Sequence, residues 1–521
     1  MQDTPAAATV RRLSLAVLLG LSGTASANVR LPSIFSDHAV LQQGVAVPVW
    51  GWADPGEEVT VSAAGQTRAV QAGADGAWRV ALDALKPGET LTLTVKGKNT
   101  LTVQDVLVGE VWLGSGQSNM AMTVNRCNDY TNEMAAARLP QLRMFTAERT
   151  VGVTPQSDVK GQWVICAPDT VGNFSATAYF FGRDLHRKLS VPVGLINASW
   201  GGTPVEAWTS AEALAAVPAL KPVTDAWLER TAKPWDEARV MAAYEKQVAA
   251  WRENVKKARE AKKAQPRAPR RPVNPRLDPH HPSNLFNGMI APLVPYAIKG
   301  TVWYQGESNA NDLTAALYGL QLETLIQDWR KRWGSEFPFA WVQLPNYRAS
   351  DRNWPLVREG MLRTLKLPNT GMATTMGIGE TADIHPKNKQ DVGRRLAFWA
   401  LGKVYGQTVA SISGPLFARA EVKGSEVVCS FTHADQGLVA KGGELTGFVI
   451  AGADQKWMPA QAKIAGSTVI VSSPDLKAPA AVRYAWAADP ACNLFNGAGL
   501  PASPFRTDTF DIPAAVAAPG K

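Results

Sequence analysis

Cysteine and histidine are scarce in this chain, at four and six of 521 residues. Cys127, Cys166, Cys429 and Cys492 show no Cys-x-x-Cys spacing, which argues against a metal site. No run of eighteen apolar residues occurs, so a polytopic membrane protein is excluded. Charged residues make up only 19% against 45% apolar, which excludes wholesale disorder and leaves material for a sizeable core. Internal repeats and long low-complexity tracts are also missing. Phe, at 15, is outnumbered by Trp, at 18. Exposed Trp can stack on sugar faces, but buried Trp at domain contacts is the commoner use.

What is present points to several domains. A length of 521 residues predicts two to four. The net charge of +9 is local: ten Lys and Arg against two Glu lie between Trp251 and Arg276, and a further unit sits near the amino terminus. The remainder sums to zero. A nucleic-acid protein spreads basic residues over a folded face with a recognisable module, and none is visible here, so no nucleic-acid partner is expected. The basic run reads as a solvated helix with a Pro-rich exit.

Arg11 and Arg12 precede an apolar run from Leu13 to Leu21, followed by Ala25-Ser26-Ala27. This is the pattern of a cleaved export signal over residues 1–27, too short to span a bilayer. A periplasmic or secreted protein starting at Asn28 is expected. Four cysteines in such a compartment predict two disulfides, with Cys127–Cys166 and Cys429–Cys492 the expected choice among three pairings and free buried thiols the alternative.

Short alternating runs from Val29 to Val103, broken by turn residues, predict a β-sandwich-like module over 28–105. Val106–Leu113 then reads as a strand buried on both faces. Strand patterns at Val193–Ala198, Ile298–Trp303, Phe339–Leu344 and Gly371–Ile378 alternate with helical patterns at Ala178–Leu189, Leu313–Trp333 and Lys389–Lys403. That alternation predicts an α/β domain with a parallel sheet over 106–410, interrupted by a helical basic insertion near 207–276. Strand patterns resume over 411–521 as a second β module.

In a parallel sheet the site lies beyond the carboxyl ends of the strands, and three predicted strand ends carry polar clusters. Gly114-Ser115-Gly116-Gln117-Ser118-Asn119-Met120 forms a tight turn that leaves a hydroxyl at its crest. It is neither a Gly-x-Ser-x-Gly elbow nor a P-loop. Asn197 to Pro204 holds Gly201 and Gly202 before Thr203, a candidate helix cap, with N–H groups suited to a negative oxygen. Trp303 to Asn309 holds a side-chain amide able to add a donor. A serine nucleophile needs a base. His186 lies in a helix, His280 and His281 in the Pro-rich connector, and His38 and His433 in the β modules. Elimination favours His385, which alone follows a strand end, in Glu380-Thr381-Ala382-Asp383-Ile384-His385-Pro386.

Together these segments resemble the sialate O-acetylesterase family of the SGNH hydrolases. The resemblance rests on Gly116-Gln117-Ser118-Asn119-Met120, Trp200 to Trp208, Trp303 to Ser308 and Asp383 to Lys389, and runs from Val29 to the final β module. It implies a flavodoxin-like hydrolase domain with accessory β modules that removes O-acetyl groups from carbohydrates, without metal or organic cofactor. Relatives in bacteria act on sialic acids or on acetylated plant polysaccharides such as xylan and xyloglucan, so the expected partner is an acetylated oligo- or polysaccharide. By resemblance Ser118 is the nucleophile and His385 the base. The N–H groups of Ser118 and Gly202 and the side chain of Gln305 are the oxyanion donors. The SGNH acid usually stands three residues before the histidine, where this chain has Ala382. Asp383 is therefore the expected acid, with Glu380, Glu307 or a backbone carbonyl as alternatives. A non-catalytic carbohydrate-binding protein is the competing reading.

Overall fold

A computed structural model describes residues 28–88 and 90–512. The predicted export signal lies outside them. The protein is a mixed α/β structure with one large mixed sheet and several smaller ones. The central strands are β1 (Thr100–Gly116), β2 (Leu139–Thr146), β3 (Trp163–Cys166), β4 (Val193–Ser199), β5 (Gly300–Tyr304), β6 (Phe339–Val342) and β7 (Thr370–Ala373). Their spatial order is β7-β6-β5-β1-β4-β2-β3. All neighbours run parallel except β2 and β3, which are antiparallel.

Side chains alternate across this sheet as the period of two demands. Trp112 on β1, Val302 and Tyr304 on β5, and Val342 on β6 share one core with Phe181, Leu396 and Trp399. The intervening Val111, Leu113, Trp303 and Trp341 share the other with Leu322, Trp329 and Trp354. The helices on the two faces are α2 (Ala176–Leu189) with α6 (Lys389–Trp399), and α4 (Tyr318–Trp333) with α5 (Asn353–Thr364). Between them in sequence come α1 (Ser118–Ala121) and α3 (Glu237–Glu260). The abundant tryptophan is largely a packing device: Trp112, Trp208, Trp303, Trp329, Trp341 and Trp354 are fully buried.

The expected boundary at residue 105 falls inside a single element. β1 is 17 residues long; its first part pairs with Leu91–Lys96 of the amino-terminal β module and its last part with β4 and β5. The joint is marked by Asp105, at φ +52, whose carboxylate pairs with Arg143 and His38. The carboxyl-terminal β module braces the large sheet. Buried Arg358 on α5 donates to the carbonyls of Leu344 and Pro345 and across to those of Ala487 and Ala488. Gln343 Nε2 donates to Ser503 Oγ.

Two expectations are corrected. All four cysteines are free thiols, so neither Cys127–Cys166 nor Cys429–Cys492 is bridged. Burial instead of oxidation accommodates them, and it pushes the Cys166 and Cys429 thiols up to about 12. The residues after Gly202 form only a short 3₁₀ turn, Val205–Trp208, which Thr203 does not cap. Its hydroxyl instead donates to the Trp200 carbonyl and accepts from Trp208 Nε1. In the basic insertion, α3 buries none of its residues. Among the described residues no helix is long and apolar enough to cross a membrane.

Candidate active site

β1 lies between β4 and β5, and the chain places β2 to β4 on one side of it before crossing to β5 on the other. This is a topological switch point, the place where open α/β sheets bind ligands. The three strand ends there are knitted together. Gln117 N–H donates to the Tyr304 carbonyl at 2.9 Å, and Trp200 N–H to the Gly116 carbonyl at 3.1 Å. Gln117 Oε1 accepts from Ser308 N–H at 3.2 Å. Gly116 sits at φ +136, and a Cβ there would lie 2.2 Å from the Tyr304 carbonyl oxygen, so only glycine permits this close junction.

From Val106 to Met120 every residue is buried except Ser118, which keeps partial exposure at the start of α1. A Cβ on Gly201 would lie 3.3 Å from Ser118 Cβ, so the β4 turn sits directly beside the serine. Gly202 is exposed, at φ +81. The N–H groups of Ser118 and Gly202 donate to no acceptor among the described residues.

The segment carrying His385 is held against this turn by buried Asn119, the residue after the serine. Asn119 Nδ2 donates to the Ile384 carbonyl at 3.0 Å and to Glu307 Oε1 at 2.6 Å. Its Oδ1 accepts from Lys389 Nζ at 2.7 Å, and the same ammonium donates to the Pro386 carbonyl at 2.6 Å. Ser118, Gly201, Gly202 and the His385 segment thus converge on one edge of the sheet.

Asp383 is the one carboxylate within 4.0 Å of a His385 ring nitrogen among the described residues, at 3.4 Å from Nδ1. Its Oδ1 also accepts the His385 backbone N–H at 2.9 Å. Glu380 turns away to the backbone N–H of Lys387, and Glu307 is spent on Asn119. Burial holds the His385 imidazole below its ordinary range, opposed by Asp383 and reinforced by Lys389. The same burial lowers the Lys389 ammonium to about 8 and raises the Glu307 carboxyl.

Gln305 does not meet the expectation of a free oxyanion donor. It is fully buried, its two amide hydrogens go to the Thr203 carbonyl at 3.2 Å and Asn309 Oδ1 at 2.7 Å, and its Oε1 accepts from the Tyr318 hydroxyl at 2.9 Å. The side chain is a strut that joins the β5 end to the β4 turn. Residues not singled out from the sequence also belong here. Asn119 and Lys389 lie inside the quoted motifs without an assigned part. His280, set aside as part of a connector, comes to the Gly202 turn. A cavity of about 800 Å³, lined by Gln42, Glu110 and Lys299 among others, opens at the amino ends of the strands and not beside Ser118.

The comparisons decide the family. Residues 281–401 match the family model described as carbohydrate esterase, sialic acid-specific acetylesterase. Sialate O-acetylesterase of Rattus norvegicus is 31% identical over 94% of this chain and 96% of its own length. The human protein of that name is also 31% identical, over 95% of each chain. The chain belongs to the sialate O-acetylesterase family. A solved carbohydrate acetylesterase from Xanthomonas citri is 38% identical and superposes with a TM-score of 0.79 over 92% of this chain and all of the other. The protein is accordingly a carbohydrate O-acetylesterase. As a hydrolase of esters it needs a nucleophile, a proton acceptor and oxyanion donors, and the β1 switch point gathers groups of all three kinds.

Proposed function

We propose that Ser118 and His385 carry the deacetylation as nucleophile and general base in an SGNH-type arrangement. His385, neutral at pH 7 because burial depresses its proton affinity, takes the Ser118 proton as Oγ attacks the acetyl carbonyl. The carbonyl π pair moves to oxygen, which the N–H groups of Ser118 and Gly202 receive. The tetrahedral intermediate collapses, the sugar oxygen leaves with the proton returned by His385, and the acetyl group stays on Oγ. Water then repeats the sequence, releasing acetate and the free serine. Asp383 is the carboxylate that orients the imidazole and stabilises its charged form.

The observation that carries this reading is the pair of bonds made by Asn119, which fasten the His385 segment to the residue next to Ser118. Two residues 267 positions apart in the chain are drawn to one strand end by it.

For substrate we propose an acetylated plant-type polysaccharide such as xylan or xyloglucan in preference to sialic acid, with the leader directing the enzyme to the periplasm or the outside. Exposed Gly202 leaves the serine turn open to an acetyl group borne on a long chain. Ser118→Ala is expected to abolish hydrolysis of p-nitrophenyl acetate; near-full activity would overturn the serine reading. Acetate release from acetylated xylan, xyloglucan, pectin and O-acetyl sialic acid then ranks the substrates, and a preference for the sialic acid ester would reverse the choice.

A further inference from the structure

Beside the Gly202 turn stands a second histidine–aspartate pair with the same spacing as the first. Asp278-Pro279-His280 repeats the Asp-x-His of Asp383-Ile384-His385, and it is the tighter of the two. His280 Nδ1 lies 2.6 Å from Asp278 Oδ1, against 3.4 Å for the other pair, and the same oxygen accepts the His280 backbone N–H at 2.9 Å. The loop is pinned from behind, because Asn284 Nδ2 donates to the carbonyls of Arg276 and Asp278, each at 3.0 Å. The far ring nitrogen, Nε2, points to Gly202. Among the described residues it is the sole heavy atom within 4 Å of where a Gly202 Cβ would stand, at 3.9 Å, which sets it against that residue's backbone.

Resting on the serine esterase reading above, we propose that His280 is a positioning residue, gripped by Asp278 at one ring nitrogen and gripping the Gly202 backbone with the other. It thereby fixes the left-handed turn that aims the Gly202 N–H at the acetyl oxygen. Gly202 has no side chain to anchor it and its φ of +81 is one of several conformations open to glycine. Held open to solvent, its N–H would be a poorly preorganised donor, and preorganisation is what gives an oxyanion hole its effect.

The clamp is also a matter of charge. A neutral imidazole has one N–H, whereas donating to Asp278 and to the Gly202 backbone at once takes two, so the proposed clamp is complete only in the imidazolium. The groups facing the ring set its charge. The bond to Asp278 raises its proton affinity above the ordinary range, and the Gly202 backbone adds to this, against burial and the nearby Arg230. The buried Glu206 carboxyl also feels the ring. A group with raised affinity keeps its charged contacts at low pH and loses them as pH rises through its folded-state value. The clamp therefore opens on the alkaline side and should give kcat a descending limb there.

Wild type, Ser118→Ala, His280→Ala, His280→Gln, Asp278→Asn and His385→Ala are assayed on p-nitrophenyl acetate from pH 5 to 9.5, with thermal melts of each. Loss of activity in Ser118→Ala keeps the underlying reading; an active Ser118→Ala would sink both that reading and the clamp. With the reading intact, His280→Ala is expected to lose roughly 10- to 100-fold in kcat, part of what a whole oxyanion donor supplies. Its KM should stay within about threefold and its alkaline limb should vanish. Asp278→Asn should move the limb to lower pH. His280→Gln keeps a neutral donor and should recover part of kcat with no limb; it is read in place of His280→Ala if the latter does not fold. The proposal is overturned if the folded His280 variant stays within twofold of wild type or keeps the wild-type limb. A loss as complete as in His385→Ala would overturn it too, since His280 would then be the base and not a clamp.

Discussion

Asn119→Leu tests whether the histidine segment is docked through the residue beside the nucleophile. The substitution is close in volume but removes three bonds, to Glu307 Oε1 at 2.6 Å, to the Ile384 carbonyl at 3.0 Å and from Lys389 Nζ at 2.7 Å. Two of the partners are charged, at about 1.5–3 kcal/mol each, and one is neutral, at about 1 kcal/mol. Addition would give about 4–7 kcal/mol, which is an upper bound. Burial has already raised the Glu307 carboxyl and lowered the Lys389 ammonium to about 8, so both can neutralise and escape part of the penalty. About 3–4 kcal/mol of destabilisation is therefore expected in chemical or thermal melts. The kinetic effect should be larger than the unfolded fraction explains. Released from Ile384, the segment leaves His385 free to shift, and a displacement of about 1 Å costs on the order of 10² in rate. The assay is kcat and KM on p-nitrophenyl acetate at a temperature where melts show the variant folded, with Asn119→Asp as companion. Aspartate restores an acceptor for Lys389 but no donor for Ile384 and sets a second carboxylate beside Glu307, so it should recover little rate. A folded Asn119→Leu enzyme with kcat within threefold of wild type would refute the reasoning.

Two further outcomes follow from the same geometry. Asp383→Asn removes the carboxylate that props up the proton affinity of His385, so the acid limb of kcat/KM should move to lower pH while kcat falls about 10- to 100-fold. That is less than in a tightly hydrogen-bonded triad, since the pair is 3.4 Å apart and Asp383 is 46% exposed; a limb moving to higher pH would contradict the assignment. Gln305→Leu should act on stability first, by about 2–4 kcal/mol, because it removes the donors to the Thr203 carbonyl and Asn309 Oδ1 and one acceptor of the Tyr318 hydroxyl, although Asn309 keeps the Val205 N–H and Tyr318 the residue-305 carbonyl. An unchanged melt with a 10²-fold loss of kcat would return Gln305 to the oxyanion site.

The strands and helices around the site were legible because their periodicities are strong. Val193–Ala198 is read from sequence and Val193–Ser199 is observed; Ala178–Leu189 is read and Ala176–Leu189 observed. The length of β1 was hidden, since its first part alternates like a solvent-facing antiparallel strand and its last part is apolar on both faces. One strand thus looked like the property of two modules. The disulfide expectation failed because an even cysteine count in a chain expected to be exported suggests bridges, whereas the thiols here are free, three buried and Cys492 partly buried against a core. The bonds of Gln305 were hidden for a related reason. Its place beside the motif indicates proximity to the site, but which way a buried amide points depends on Tyr318 and Asn309, and no local pattern shows that.

The two Asp-x-His segments show how one local device serves two ends. In each, the aspartate oxygen accepts the backbone N–H of the histidine at 2.9 Å and also faces its Nδ1. The turn therefore builds the histidine's partner without help from elsewhere in the fold. Surroundings then separate the two. His385 is half-buried, and desolvation, reinforced by the ammonium of Lys389, disfavours its charged form, as suits a base that must accept a proton. His280 faces a closer carboxylate, which favours the charged form, as suits the two-handed donor proposed above. An exchange of roles would fail on both counts: a ring already protonated cannot take the serine proton, and a ring kept neutral cannot hold Asp278 and Gly202 together.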